Sequence, residues 1–502
     1  MSTIQRIGLL AGPLLALFLS FIAPLEAANP LVSYTAGIAV WMAVWWVTEV
    51  VPLAVTALLP VILFPVLGIM DGKAVAPIYF NNVIFLFIGG FLVALAMQRW
   101  NLHKRIALRI LLWFGVRPQG ILLGFMVATA FLSMWISNTA TTMMMVPIAL
   151  SIILRLEDIL GVAKVKRYSI GVFLGVAYSA SIGGIATLVG TPPNLALVKI
   201  FNIMFPVAPE ISFAEWFLFA FPITVIFLTV VWLILVFLFC PKRDRFKLDV
   251  GIFEKQYKKL GPMSYEEKIV LVDFVLLALL WLTRARIQVG DFFLPGWSQL
   301  FANPGYFNDG TVAIMMATIL FLIPAAGSSS MRILDWDIAA KLPWDIVLLF
   351  GGGFALASGF KESGLDRWLG QHFAGIGELS PLLIVVAICL FVTFLTELTS
   401  NTATAQMFLP ILGSLAVTIK VNPLLLMIPA TLSCSFAFML PVATPPNAII
   451  FGTGRLKIKN MVKVGIWLNL FGVIIVTIAV LWLGQVVLNT DLFRLPEWAV
   501  AQ

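Results

Sequence analysis

Charge is scarce in this chain. Only 11% of its 502 residues are Asp, Glu, Lys or Arg, whereas a soluble domain carries about 25%. That little charge cannot cover a water-facing surface, so a soluble globule is excluded. Histidine is nearly absent. The two present, His103 and His372, stand in polar connectors and are expected to be ordinary loop residues. The three cysteines, Cys240, Cys389 and Cys434, lie in or beside apolar runs. Their spacing and surroundings suggest neither a disulfide framework nor a metal centre. No nucleophile, base and orienting group form a recognisable constellation, so an enzyme is not expected. The formal net charge of +8 sits in particular connectors. That placement is a topology signal and not a nucleic-acid-binding face.

What is abundant is apolar sequence: 61% of the residues are hydrophobic and the mean hydropathy is +1.03. About 20 apolar residues span a bilayer as a helix. Such runs cover approximately 6–24, 34–50, 52–70, 82–98, 119–154, 168–206, 213–240, 268–285, 310–325, 343–360, 380–419, 424–454 and 463–488. The expected fold is an all-α polytopic protein of the plasma (inner) membrane. The N-terminal segment mimics a signal peptide, but its apolar stretch is long and another follows at once, so it reads as a first crossing. Glu49, just before Pro52, marks a turn between helices.

Two segments, 119–154 and 380–419, carry the same polar triplet near their centres: SNTATTMMMVP at 137–147 and SNTATAQMFLP at 400–410. The first is flanked by Arg99, Lys104, Arg105, Arg109 and Arg117 on one side and by Arg155, Lys164, Lys166 and Arg167 on the other. The positive-inside rule puts both flanks in the cytoplasm, so the segment doubles back as a re-entrant hairpin. Counting both triplet segments as hairpins gives eleven crossings. The N-terminus is then cytoplasmic, the C-terminus outside, and most of the 32 Lys and Arg inside.

The hairpins belong to an internal repeat. FLFIGGFLVALAMQRWNL (85–102) matches LLFGGGFALASGFKESGL (348–365), and Phe91 and Phe354 are 354 − 91 = 263 apart. Ser137 and Ser400 share that offset, 400 − 137 = 263. A third pair, VGTPPN (189–194) and VATPPN (442–447), is offset by 442 − 189 = 253. The hairpins enter from opposite sides, so the repeats are inverted. Inverted repeats with discontinuous helices point to a secondary transporter with a midplane site. Paired prolines unwind a helix and free carbonyls that a cation could satisfy. SNT offers hydroxyl and amide oxygens, and its place at a helix start offers a positive dipole end to an anion. A hydroxyl also stands four residues before each triplet, at Ser133 and Thr396. Glu397, whose counterpart is Met134 (397 − 263 = 134), is an intramembrane acid. Such an acid is either a functional group or a structural hydrogen-bond partner, and the latter reading is preferred.

SNTATTMMMVP, SNTATAQMFLP, VGTPPN and CSFAFMLPVATPPNAII together resemble the divalent anion:sodium symporter family, most of all its bacterial sodium-coupled dicarboxylate branch. The resemblance runs over nearly the whole chain. It implies one sodium held by Ser133, Ser137, Asn138 and the Gly190 carbonyl, and a second held by Thr396, Thr399, Asn401 and the Ala443 carbonyl. It implies substrate carboxylates at Asn138, Thr139, Ser400, Asn401, Thr402, Thr444 and Pro445. It also implies a homodimer in which a transport domain slides as an elevator against a scaffold domain. The expected layout is N-terminal scaffold helices (1–81), a first repeat (82–240, hairpin 118–155, broken helix 168–206) and a basic cytoplasmic loop (241–267). Further scaffold helices (268–325), a second repeat (343–488, hairpin 380–419, broken helix 424–454) and an external tail (489–502) follow. The expected activity is sodium-driven import of C4-dicarboxylates such as succinate, malate or fumarate, with at least two sodium ions. The alternatives are a sulfate or other inorganic divalent-anion symporter, a sodium-independent exchanger and an anion channel.

Overall fold

The computed structural model describes residues 1–500 except 116, 241–250, 290–291, 327–329, 374, 376–378 and 489. Residues 241–250 of the expected basic loop, and 489, 501 and 502 of the expected tail, lie outside the described residues. The rest is helical apart from short bridges and an antiparallel pair, Ile287–Val289 with Phe292–Leu294. Among the described residues, five helical stretches are long and apolar enough to cross a membrane: Thr3–Ile22, Pro30–Thr48, Gly72–Arg99, Phe213–Phe239 and Ile458–Val487.

Several expected crossings are built differently from single rods. Segment 52–70 divides into Leu53–Thr56 and Leu59–Val66, with Pro52, Pro60 and Pro65 punctuating it. Proline removes a helical donor and clashes with the preceding turn, so a straight helix cannot run through this stretch. Pro30–Thr48 ends at Glu49 in the left-handed region (φ 48), which makes the turn read from the sequence. The expectation for the histidines is corrected. His103 is buried in the helix Leu102–Trp113, its Nδ1 2.9 Å from the Met97 carbonyl. His372 ends the helix Leu365–His372 and stacks on Trp368.

Both polar triplets start helices. The first hairpin is Pro118–Ser133 and Asn138–Leu160, and the second is Pro381–Thr396 and Asn401–Thr418. Each broken segment is two helices joined by an irregular stretch: Val162–Gly184 with Pro192–Met204, and Leu424–Cys434 with Pro445–Gly452. The prolines of TPPN occupy the first turn of the second half-helix, where a missing amide hydrogen costs nothing. They therefore restart the helix, and the unwound stretch lies before them.

The two repeats interlock. Pro192–Met204, from the first, packs on Asn401–Thr418 and Leu424–Cys434 of the second. Pro445–Gly452, from the second, packs on Asn138–Leu160 and Val162–Gly184 of the first. One large apolar core runs through both. A smaller one joins Trp46, Phe64 and Tyr79 of the N-terminal segments to Leu356 and Phe360.

The glycines of the repeated FIGGF and FGGGF stretches have matched neighbours. A Cβ on Gly89 would strike Ala313, and one on its counterpart Gly352 would strike Ala57. Next along, Gly90 faces Val189 of the first unwound stretch, and Gly353 faces Gln406 of the second hairpin. The helices Asn82–Arg99 and Trp344–Ser363 thus present bare backbone to the site-bearing elements. Among the described residues, ion pairs tie segments distant in sequence: Arg99 with Asp335, Arg105 with Glu267, Arg284 with Asp309 and Glu210, and Arg455 with Glu157.

Candidate functional site

Four half-helices begin around one cavity of about 1070 Å³. The first repeat contributes Ser137, Asn138 and Thr139 at one helix start and Gly190, Thr191 and Pro192 at another. The second contributes Thr399, Ser400, Asn401 and Thr402, then Ala443, Thr444 and Pro445. The opposite wall comes from Trp46–Glu49, Pro52–Ala54, Phe91, Asp345 and Leu349, with Ser2 and Gln5 of the N-terminal helix. No Lys, Arg or His lines it among the described residues. Four helix N-termini, each with a positive dipole end and unpaired amides, therefore supply what attraction the chamber has for an anion. Of the residues expected at the site, only Ser133 and Thr396 are absent from the cavity wall.

Those two hydroxyls lie fully buried behind it. Ser133 Oγ is 2.6 Å from Asn138 Oδ1 and 2.7 Å from the Ala180 carbonyl oxygen. Thr396 Oγ1 is 2.7 Å from Asn401 Oδ1 and 2.9 Å from the Cys434 carbonyl oxygen. A hydroxyl has one proton to donate, so each cluster holds three oxygens around a single hydrogen. An oxygen-rich, proton-poor cluster is the ligand set a hard cation takes. Gly184 adds room in the first repeat. A Cβ there would stand 2.6 Å from Asn138 Oδ1 and 3.1 Å from the Gly190 carbonyl oxygen. The glycine leaves a space bounded by two of the expected sodium ligands. In the second repeat the matching position, 184 + 253 = 437, is Ala437, so the two clusters are not identical. Ser137 Oγ caps its own helix, accepting from the Ala140 amide at 3.2 Å, and Thr399 Oγ1 donates to the Leu395 carbonyl.

Several of the carbonyls freed by the two breaks already have partners within the protein. Asn194, the last residue of the first TPPN, donates to the carbonyl of Thr187 at 2.7 Å and also to those of Gly184 and Ile185. Its counterpart Asn447 donates to Ala437 and Leu440 at 2.9 and 3.0 Å. Both asparagines are fully buried. Trp216 Nε1 reaches Ile185, and Tyr178 Oη, from the first repeat, donates to Phe438 of the second unwound stretch. Sequence reasoning missed these clamps, although the asparagine was in the motif both times.

Glu397 is a structural partner. Its Oε1 accepts from the amides of Phe438 and Met439 and from Asn469 Nδ2 at 2.7, 2.8 and 2.8 Å, and Oε2 accepts from the Leu440 amide at 3.0 Å. Glu397→Ala strands four buried or half-buried donors, at about 1–3 kcal/mol for each one left unsatisfied. It is expected to lower the unfolding midpoint sharply, with Glu397→Gln intermediate. A thermal melt of both variants in detergent checks this, and an unchanged midpoint for the alanine would refute it.

The family described as the sodium:sulfate symporter transmembrane region matches residues 5–489. The chain belongs to this symporter family. It is 44% identical over 494 residues to the sodium-dependent dicarboxylate transporter SdcS of Staphylococcus saprophyticus, covering 97% of this chain and 93% of that one. It is 45% identical over 499 residues to SdcS of Staphylococcus aureus MRSA252, covering 98% and 93%. Among solved structures, this symporter-family chain superposes on MtrF of Neisseria gonorrhoeae with a TM-score of 0.55 at 14% identity, covering 93% and 96%. It superposes on the YdaH transporter of Alcanivorax borkumensis at 0.54 and 12%, covering 86% and 89%. Those two likenesses concern the fold alone.

Proposed function

We propose that this symporter-family protein imports C4-dicarboxylates such as succinate, malate or fumarate, each moving with at least two sodium ions. The observation that carries the reading is the convergence of four helix starts and two oxygen clusters, from the two sequence repeats, on one cavity with no basic side chain among the described residues. Helix ends and amides attract a dianion only weakly when unaided, at about 0.3–1 kcal/mol per exposed helix terminus. Bound cations beside them supply the missing positive charge, so anion and sodium bind together. The curated relatives named as sodium-dependent dicarboxylate transporters support the same pairing.

The two sodium sets are Ser133, Ser137, Asn138 and Gly190, and Thr396, Thr399, Asn401 and Ala443. The carboxylates meet Asn138, Thr139, Ser400, Asn401, Thr402, Thr444 and Pro445. Eleven crossings and two hairpins place the N-terminus in the cytoplasm and the C-terminus outside. The hairpins and broken helices move as an elevator within a homodimer, against a scaffold that includes Asn82–Arg99 and Trp344–Ser363. The glycine-bearing faces of those two helices supply a surface without protruding side chains for that movement.

Uptake of labelled succinate into proteoliposomes, with sodium, lithium or potassium outside, tests the proposal. Uptake is expected with sodium, and far less with potassium. Equal uptake in potassium would remove symport and leave exchange or a channel. Competition by sulfate but not by malate would reassign the substrate to an inorganic divalent anion.

A further inference from the structure

One group of basic side chains takes no part in the chamber or in the ion pairs that tie the fold. It lies where three helices end together: the start of Val162–Gly184, the end of Phe213–Phe239 and the start of Ile458–Ala479. Lys166, Arg167 and Lys463 line a cavity there of about 460 Å³, with Asn460 beside them and Leu238 and Phe239 as an apolar floor. Among the described residues no acidic side chain lines this cavity, and none of the three cations makes an ion pair.

The sequence builds the pocket in identifiable steps. Gly171 lets the end of one helix lie against another, because a Cβ there would stand 2.7 Å from Phe239 Cβ. Arg167 Nε donates to the Leu238 carbonyl at 2.6 Å, which holds the guanidinium at the rim. Its two terminal nitrogens have no acceptor among the described residues. Two helices also start at the pocket, represented by Ala163 and Asn460 in its wall, and their free amides add positive potential.

What adjoins the pocket decides the ligand class. Lys463, Trp467, Leu470 and Ile474 follow one another at helical spacing, and all are exposed. Trp467 and Ile474 expose 56% and 53% of their surface, and on the neighbouring helix Leu233 and Phe237 expose 54% and 67%. A stripe of exposed apolar side chains thus runs from the basic pocket along helices that are long and apolar enough to span a membrane. Basic pockets between such helices match phosphate headgroups, and the adjoining stripe matches acyl chains.

We propose that this pocket binds the phosphate headgroup of an anionic phospholipid. Arg167 and the two lysines contact the phosphodiester oxygens, and the acyl chains lie along Trp467, Leu470 and Ile474. A free inorganic phosphate shares the headgroup chemistry but leaves the apolar stripe uncovered.

The test is the unfolding midpoint of the purified full-length protein in detergent micelles. The micelles are supplemented with phosphatidylglycerol, cardiolipin or phosphatidylcholine, or the buffer with inorganic phosphate. The anionic lipids are expected to raise the midpoint above that in phosphatidylcholine, and inorganic phosphate to leave it in place. Lys166→Gln/Arg167→Gln/Lys463→Gln is expected to lose most of the shift while melting normally in phosphatidylcholine. Lys164→Gln/Lys459→Gln, which removes two neighbouring charges outside the pocket, is expected to keep it. Should the triple variant fold poorly, Lys463→Gln alone is expected to lose part of the shift, and Lys463→Arg to restore it. An undiminished shift in the triple or single glutamine variant overturns the site. Equal losses in the pocket and control variants reduce it to nonspecific attraction, and a matching response to inorganic phosphate overturns the lipid assignment.

Discussion

Replacing Asn401 with alanine is expected to abolish sodium-driven uptake and leave the protein folded. The Asn401 carboxamide has one oxygen against the Thr396 hydroxyl at 2.7 Å, and the residue lies in the wall of the anion chamber. In the proposed site it would therefore face cation and anion at once. Loss of a hydrogen bond to a charged group costs about 1.5–3 kcal/mol, and each 1.4 kcal/mol is tenfold in affinity. Two such losses, one per ion, multiply to a roughly 100- to 10,000-fold deficit if the sites are independent. The fold has less at stake, because Asn401 opens a helix whose core face is carried by Leu409, Leu412 and Leu415. Asn138→Ala is expected to behave likewise through Ser133. Labelled-substrate uptake, set beside the melting temperature of each variant, checks this. Robust transport by both variants would remove the proposed site.

Gly184→Ala is the smallest change expected to separate the two cations. A methyl at that position would stand 2.6 Å from Asn138 Oδ1, closer than carbon and oxygen can rest, and would fill the space bounded by the Gly190 carbonyl. Something there must shift, and the flexible partner is the Asn138 carboxamide. The sodium concentration for half-maximal uptake is expected to rise at least roughly tenfold, the loss of about 1.4 kcal/mol. Ala437→Gly, at the matching place in the second repeat, is expected to change it little, because that cluster already accommodates a methyl. A sodium titration of uptake at fixed succinate reads both. An unshifted titration for Gly184→Ala would detach the cavity from ion binding.

Much of this arrangement was legible in the residues because it is written in punctuation. SNT at a helix start and TPPN after a break are chemical statements that few other contexts satisfy. Their repetition at offsets of 263 and 253 exposes the internal repeat and pairs its elements. The clamps at Asn194 and Asn447 were hidden for a different reason. Their acceptors are backbone carbonyls, and a carbonyl has no letter in the sequence. The wall of the chamber from outside the hairpins and broken helices was invisible too, since Trp46, Leu53 and Leu349 read as ordinary apolar residues until packing brings them to the same cavity as Asn401. Hydropathy alone reads segment 52–70 as one crossing, because it counts apolar residues and does not register the break between Thr56 and Leu59 or the donor that Pro65 removes inside Leu59–Val66.

The exchange of half-helices between the repeats has a mechanical corollary. Each hairpin packs on the broken helix of its own repeat and also leans on a strut delivered by the other half of the chain. Tugging one loop outward would strip its sister of support and uncover four helix ends to oil. In the proposed transport cycle, a displacement that carries the cargo would then take both hairpins and both struts together.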